Sequence, residues 1–456
     1  MNFRHRIVRM HPAALVLAGF LTAIAAGTLL LKLPAASQSG YIAWMDALFT
    51  ATSAVCVTGL VVVDTGSHFS MFGQSIILFL IQIGGLGVMT ISVGMFRWIG
   101  RMISFRQRMA MQDLLSHTPR EDIFGLVKSV FLFTIAVEAV GALLLTVHWS
   151  RELPLGSAVY TAVFHSVSAF CNAGFALFSD SMTRYGGDLL LNVVMCVLIV
   201  AGGIGFPVLY DLRSWMTEGR KKRQRLSVQT RVVLLTTMVL IAGGASLFAF
   251  LERESLTASG SMSHRILAPL FQSITCRTAG FNTVDIASLK DATLAVFLFL
   301  MFFGASPGSC GGGVKTTTLA LLAVFTVSRI RGRHRVNLFR KTIPVETVTR
   351  SVSLILVSLT IIGVVLFMLL LGDSASGHNL SCPRGAFLTY LFETVSAFGT
   401  VGLSMGATPE LDTWGKFWII FMMIVGRVGV LAFSYVIVGA GMSVEVEYAE
   451  ENMMIG

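Results

Sequence analysis

Uncharged apolar runs recur along the chain at 13–31, 71–96, 189–210, 232–251, 292–314 and 351–372. Each is long enough for a helix to cross a ~30 Å hydrocarbon core, which takes about 20 residues. Two further runs carry one charge apiece, Glu138 within 129–147 and Arg427 within 417–443. The pattern predicts eight membrane-crossing helices. The first, preceded by Arg4, Arg6 and Arg9, has the outline of a secretory leader. Its apolar stretch is long for one, and the repetition described next needs it as the first helix of a first unit.

Within each successive pair of spans lies a segment too short to cross, which reads as a re-entrant helix followed by a turn. These segments are LFTATSAVCVTGLV at 48–61, VFHSVSAFCNAGFA at 163–176, LFQSITCRTAGFNT at 270–283 and LFETVSAFGTVGLS at 391–404. Each runs from an aromatic residue through small and hydroxylated ones to Gly-Leu or Gly-Phe. The shared glycines, Gly59, Gly174, Gly280 and Gly402, recur at intervals of about 114 residues, as in a chain built by duplication and fusion. Residues 1–456 therefore read as one membrane domain of four repeats, approximately 1–110, 111–225, 226–340 and 341–456. The expected fold is all-α: eight transmembrane helices plus four re-entrant pore helices, in pseudo-fourfold arrangement around one pore.

A glycine in the same place four times suits a backbone whose carbonyls must all point at a common axis, because that takes dihedral angles that residues with a Cβ rarely adopt. Such irregular backbone is tolerated at membrane depth only where protein buries it or a watery cavity satisfies it. A ring of four such turns offers carbonyl oxygens that replace the hydration shell of a cation, as in filters of the Thr-Val-Gly-Tyr-Gly type. Thr400-Val401-Gly402 matches the start of that sequence, whereas Val57-Thr58-Gly59, Asn172-Ala173-Gly174 and Thr278-Ala279-Gly280 vary around the glycine. One well-defined ion site at the glycines is expected, with looser sites beside it. The C-terminal ends of the pore helices, partially negative, favour cations there.

The run from 292 to 328 contains a single charge and is too long for one straight crossing. Its middle, Gly304-Ala305-Ser306-Pro307-Gly308-Ser309-Cys310-Gly311-Gly312-Gly313-Val314-Lys315, is dense in helix breakers. It reads as a flexible gate loop beneath the filter, or alternatively as a kink with a packing role. Arg427 is costly in hydrocarbon and must face protein or water. Beside a cation path it forms a barrier; the alternative is an ion pair with Glu138, Glu393 or Asp46. Arg277, in the third pore segment, is expected to pair with Asp46 or Glu393.

Composition agrees with a lipid environment: hydrophobic residues are 54% of the chain, charged residues 13%, and the mean hydropathy is +0.77. The net charge of +10 is unevenly placed. Basic residues gather before the first span, between the second and third (Arg97, Arg101, Arg106, Arg108, Arg120, Lys128), between the fourth and fifth (Arg213, Arg220, Lys221, Lys222, Arg223, Arg225, Arg231), and at 329–350. The positive-inside rule puts these segments and both termini in the cytoplasm. The opposite segments carry Asp64, Glu152, Asp180, Asp188, Glu252, Glu254, Asp285, Asp291, Asp373, Glu410 and Asp412, an acidic mouth that concentrates cations. The basic face could bind anionic lipid or a partner protein, although orientation alone accounts for it. Six scattered cysteines, of which Cys382 alone falls in an outer loop, suggest neither a disulfide framework nor zinc.

Four units with a filter glycine, a Gly-rich break in the third unit and an arginine in the last helix of the fourth resemble the Trk/Ktr/HKT superfamily of potassium transporters. The likeness covers essentially the whole chain and is strongest to the bacterial Ktr membrane subunit, since the first unit follows directly on the N-terminus. The resemblance implies a homodimer in the bacterial inner membrane and a cytoplasmic ring of nucleotide-binding RCK-type subunits. It implies potassium as substrate, frequent dependence on sodium, and ATP or ADP on the partner, with no cofactor in this chain. By position it makes Gly59, Gly174, Gly280 and Gly402 the filter, 304–315 the gate loop and Arg427 its facing barrier. A secondary transporter of another solute would show two inverted halves with matched broken helices instead of one marked break. A membrane enzyme would need clustered His, Asp or Cys, but the histidines are dispersed, most of them in loops or near span ends. A receptor would have no use for filter turns.

Overall fold

The computed structural model describes residues 12–98, 123–222, 226–258, 261–333, 335–376, 384–430 and 433. Arg4, Arg6, Arg9, Arg101, Arg106, Arg108, Arg120, Arg223, Arg225, Cys382, His5, His11, His117, His334 and His378 lie outside them, as does most of 431–456, which includes the end of the run 417–443. The described residues are mostly helical. A first group comprises α1 (Pro12–Leu31), α2 (Trp44–Cys56) and α3 (Met71–Trp98). A second comprises α4 (Ile123–Trp149), α5 (Leu155–Phe170), α6 (Leu189–Ile204) and α7 (Phe206–Lys222). The third holds α8 (Val228–Leu251), α9 (Met262–Thr275), α10 (Asp291–Phe302) and α11 (Thr316–Ile330), and the fourth α12 (Val345–Ser376), α13 (Ala386–Gly399) and α14 (Thr413–Val428).

Among the described residues, three helices are long and apolar enough to cross a membrane unbroken, over Ser129–Trp149, Val228–Leu251 and Val345–Ser374. Their exposed residues are large and apolar, Leu132 and Leu143 on α4, Met238 and Phe250 on α8, Leu356 and Phe367 on α12, as a lipid-facing surface requires. The helices that follow each short helix behave differently, and here the expectation of one marked break is corrected. α3 leaves helical geometry at Gly87 (φ 69°, ψ −172°), and α6 and α7 meet at Gly205 with a bend of 99°. α10 ends at Phe302, leaving 304–315 non-helical until α11, and α14 ends at Gly429 (φ 91°). The run 292–314 is therefore not one span, and neither 71–96 nor 189–210 is straight.

Local sequence sets where these elements start. The Asp188 carboxylate accepts from Leu191 N–H at the head of α6, and Asp412 accepts from Gly415 N–H at the head of α14. Each caps a helix that follows a tight turn. The basic segment after α11 folds into a two-stranded hairpin, β1 (Val336–Leu338) and β2 (Lys341–Ile343), with Val336 opposite Ile343, a feature the charge pattern did not announce.

Packing between groups follows one rule. The short helix α5 lies against α3, α9 against α6, and α13 against α10. α2, the first short helix, lies against α14, the last helix, so the circuit closes. Lys416 on α14 and Asp46 on α2 tie that closing contact with an ion pair of 2.8 Å. A single apolar cluster runs through all four groups, from Phe20 to Val430.

The breaks bring helix backbone against helix backbone. A Cβ at Gly202 on α6 would strike the carbonyl of Phe170, whereas a Cβ at Gly243 on α8 would meet nothing within 4 Å. Gly202→Ala should therefore destabilise the protein by about 1–3 kcal/mol. Gly243→Ala should stabilise it by up to about 1 kcal/mol through helix propensity. Thermal unfolding midpoints of the detergent-solubilised variants, shifted in opposite directions, check the pair.

Candidate functional site

Each short helix ends in the same unusual backbone. Val57, Asn172, Thr278 and Thr400, each two residues before a shared glycine, have φ of 56°, 59°, 75° and 50°. Gly59, Gly174, Gly280 and Gly402 follow at 90°, 71°, 80° and 91°. Left-handed backbone costs a β-branched residue roughly 1–3 kcal/mol, so its fourfold recurrence at one position marks the site.

Hydroxyls hold the turns. Ser53 and Ser396 accept the N–H of Gly59 (3.1 Å) and Gly402 (3.2 Å). Ser168 and Thr275 donate instead to the carbonyls of Phe175 (2.8 Å) and Phe281 (2.6 Å). The N–H groups of Thr58, Ala173, Ala279 and Val401 bond back to helix carbonyls at 2.7–2.9 Å. These six N–H groups are thus used within their own units.

The four glycines meet in a closed circuit. A Cβ at Gly59 would lie 2.9 Å from Gly174 Cα, one at Gly174 3.0 Å from Gly280 Cα, one at Gly280 3.3 Å from Gly402 Cα, and one at Gly402 3.0 Å from Gly59 Cα. The same four Cβ positions abut the carbonyl oxygens of Ala173, Ala279, Val401 and Thr58, one from each turn. Glycine is needed here because the neighbouring turn occupies the space of a side chain. All four glycines also line one cavity of about 170 Å³, which Asp64, Asn282 and Ser404 border. Farther along that side, Arg184 hydrogen-bonds Asp180 and holds its carboxyl below the ordinary value.

The segment 304–315 lies against the opposite side of these turns. Its backbone donors go to neighbouring breaks: Ser306 N–H to Gly203 (3.1 Å), Cys310 N–H to Gly202 (3.2 Å) and Gly313 N–H to Gly426 (3.3 Å). Gly308 accepts from Phe206 N–H at 2.9 Å, and Gly205 packs on Pro307. Ala305 accepts from Thr316 N–H, and Val314 donates to Phe302 at 3.2 Å. The Ser309 hydroxyl turns inward to the Ser306 carbonyl, 2.6 Å away. Gly304 and Gly311 sit on the Thr278 side chain, and Gly312 on that of Thr400. The segment thus touches the second, third and fourth groups at once.

Charged residues resolve differently from expectation. Arg427 donates to the carbonyls of Cys310 and Gly84, tying the segment to α3, and its contacts are these carbonyls in place of Glu138, Glu393 or Asp46. Lys315 Nζ donates to Gly311 O (2.8 Å) and Gly312 O (3.4 Å), so two cations flank the segment. Arg277 pairs with no acid among the described residues. It donates to Thr237 Oγ1 at 3.3 Å, because Asp46 is taken by Lys416 and Glu393 accepts from Ser404 (2.5 Å), Thr408 (2.6 Å) and Met405 N–H (3.1 Å). Glu138 accepts from Gln82 at 3.3 Å. His165 is fully buried in α5, held by Thr161 O and Leu177 N–H, and so is a structural exception to the histidines expected near loops.

A sequence signal for the breaks was present and unread. Gly84-Gly85-Leu86-Gly87, Gly202-Gly203-Ile204-Gly205 and Gly426-Arg427-Val428-Gly429 share one spacing, with Arg427 in place of a glycine. The first glycine of each rests on a carbonyl of its own short helix: Val55, Phe170 or Phe398.

Comparison with known proteins places this geometry. The TrkH family, described as cation transport protein, matches residues 8–443. The chain is 38% identical to Ktr system potassium uptake protein B of Bacillus subtilis, over 94% of this chain and 93% of that protein. It is 36% identical to potassium/sodium uptake protein NtpJ of Enterococcus hirae, over 98% of each. The crystal structure of the potassium transporter TrkH from Vibrio parahaemolyticus has the same fold, with a TM-score of 0.71 at 19% identity over 96% of this chain and 87% of that one. A multi-pass membrane protein and not an enzyme, the chain belongs to the TrkH family of cation transport proteins.

Proposed function

We propose that this chain takes up potassium across a bacterial inner membrane, through a filter of backbone carbonyls formed by residues 57–59, 172–174, 278–280 and 400–402. The observation that carries the reading is the closed circuit of Gly59, Gly174, Gly280 and Gly402, with one carbonyl from each turn beside it. Because the carbonyls of Thr58, Ala173, Ala279 and Val401 abut the circuit, one from each turn, they can replace water around a dehydrated monovalent cation. The short helices α2, α5, α9 and α13 end at the ring and add their negative dipole ends. The potassium uptake proteins to which the chain is similar support the choice of ion, and the potassium/sodium uptake protein supports sodium as a second cation.

The four groups form one domain of eight crossing segments and four re-entrant helices around a single path, entered from the acidic side. Both termini and the basic segments face the cytoplasm. Segment 304–315 is the gate, and Arg427 and Lys315 repel a cation arriving beneath the ring until the loop moves. The chain works as a homodimer, each protomer with its own path. A cytoplasmic ring of RCK-type subunits docks on the basic face and carries the ATP or ADP that controls uptake; the relatives named as parts of a Ktr system support such a partner.

Expression in a bacterium lacking its own potassium uptake should restore growth at low potassium; failure with protein present in the membrane rejects the reading. Gly402→Ser places a side chain against Thr58 O and Gly59 Cα. It should reduce discrimination of potassium over sodium by about tenfold or more, the factor that ~1.4 kcal/mol commands. Unchanged ion competition in uptake assays counts against the filter. Deletion of Gly308 to Gly313 and, separately, Arg427→Ala should each raise flux through correctly inserted protein, measured as rubidium uptake. Lower flux in the deletion points to a structural loop.

A further inference from the structure

Below the glycine circuit, side chains from the start of each filter segment form a second layer against the broken helices. It is made by the side chains of Val57, Asn172, Thr278 and Thr400, the four residues in left-handed backbone. Each points at a glycine of a broken segment. A Cβ at Gly84 would meet Val57 Cγ2 at 2.8 Å, one at Gly203 would meet Asn172 Nδ2 at 3.3 Å, one at Gly304 would meet Thr278 Cγ2 at 2.7 Å, and one at Gly312 would meet Thr400 Oγ1 at 2.6 Å.

Within this layer Thr400 is distinct. Its Oγ1 accepts the N–H of Gly312 at 2.8 Å, a bond between the fourth turn and the loop of the third group. Gly312 is held from its other side as well, since its carbonyl accepts from Lys315 Nζ. The corresponding bond of Thr278 goes sideways to the Asn172 amide at 3.2 Å, and Val57 has no polar atom to offer. Thr400 is fully buried and Gly312 is buried with it, so the bond joins two groups inside the protein.

We propose that Thr400 is a positioning residue that couples the ring to the loop: its main chain builds the fourth quarter of the ring while its hydroxyl latches Gly312 and keeps segment 304–315 across the path. This rests on the filter and gate reading above and adds a route between the two. The dihedrals of Thr400 set both the direction of the carbonyls beside Gly402 and the position of Oγ1. A change in ring backbone on ion arrival therefore reaches the loop through one hydrogen bond, and a displaced loop reaches the ring in return.

Thr400→Val removes the acceptor and keeps the shape, and Val57 already adopts the same backbone in the first turn (φ 56° against 50°). Rubidium uptake by Thr400→Val should rise about threefold to tenfold, the usual weight of one buried hydrogen bond. Thr400→Ser, which keeps the hydroxyl acceptor, should rise less than Thr400→Val, and an equal rise in the two counts against the latch. In protein lacking Gly308 to Gly313, which has no Gly312 to latch, Thr400→Val should add nothing. A wild-type rate in Thr400→Val, or an equal rise in the deletion background, overturns the latch while leaving the filter reading in place. Unchanged ion competition in Gly402→Ser removes the filter reading instead. Hydrogen exchange of the wild-type protein gives a readout independent of any variant's folding. Amides of segment 304–315 should exchange at different rates in potassium and in choline, and identical rates overturn the coupling.

Discussion

Backbone that leaves helical geometry inside a membrane must find a partner for every N–H and C=O it releases, because hydrocarbon offers none. This protein leaves helical geometry in each of its four groups, at the turns and again in the helix that follows. In the turns, the N–H groups of Thr58, Ala173, Ala279 and Val401 go back to their own short helices, and those of Gly59 and Gly402 to a serine hydroxyl. Those of segment 304–315 go to Gly202, Gly203, Gly426 and Thr400. What remains around the glycine circuit is carbonyl oxygen, and a dehydrated cation is the natural partner for a surplus of acceptors.

The same constraint explains where glycine is used. At the circuit it lets four turns approach within van der Waals contact of one another. At Gly84, Gly202 and Gly426 it lets a broken helix rest on a carbonyl of its own short helix. Positive charge is handled similarly. Arg427 and Lys315 are held by the carbonyls of the loop they flank, so carbonyl dipoles offset charges that hydrocarbon would not tolerate.

Repetition made the centre of the molecule legible from sequence. Four matched glycines were assigned to one place, and 304–315 was read as non-helical from its breaker density; in both cases the structure puts those residues together. Hydropathy does not show the breaks at Gly87 and Gly205, because each sits in apolar sequence where hydropathy is blind to backbone direction, and at Gly429 the nearby Arg427 marks a charge without marking a bend. The pairing of Arg277 was misjudged for a related reason. Its supposed acids are engaged elsewhere, Asp46 by Lys416, distant in sequence, across the closing contact, and Glu393 by the turn that follows its own helix. The left-handed conformation of Val57 and Thr400 runs against the preference of β-branched residues, so propensity could not indicate it.

The claim that the glycine circuit binds the transported ion is tested most directly by anomalous diffraction from crystals of the protein grown in thallium, a heavy stand-in for potassium. The account predicts a strong anomalous peak on the axis of the circuit, beside the carbonyls of Thr58, Ala173, Ala279 and Val401, that fades when potassium is added in excess. Thallium bound only elsewhere, with the circuit empty, would contradict it.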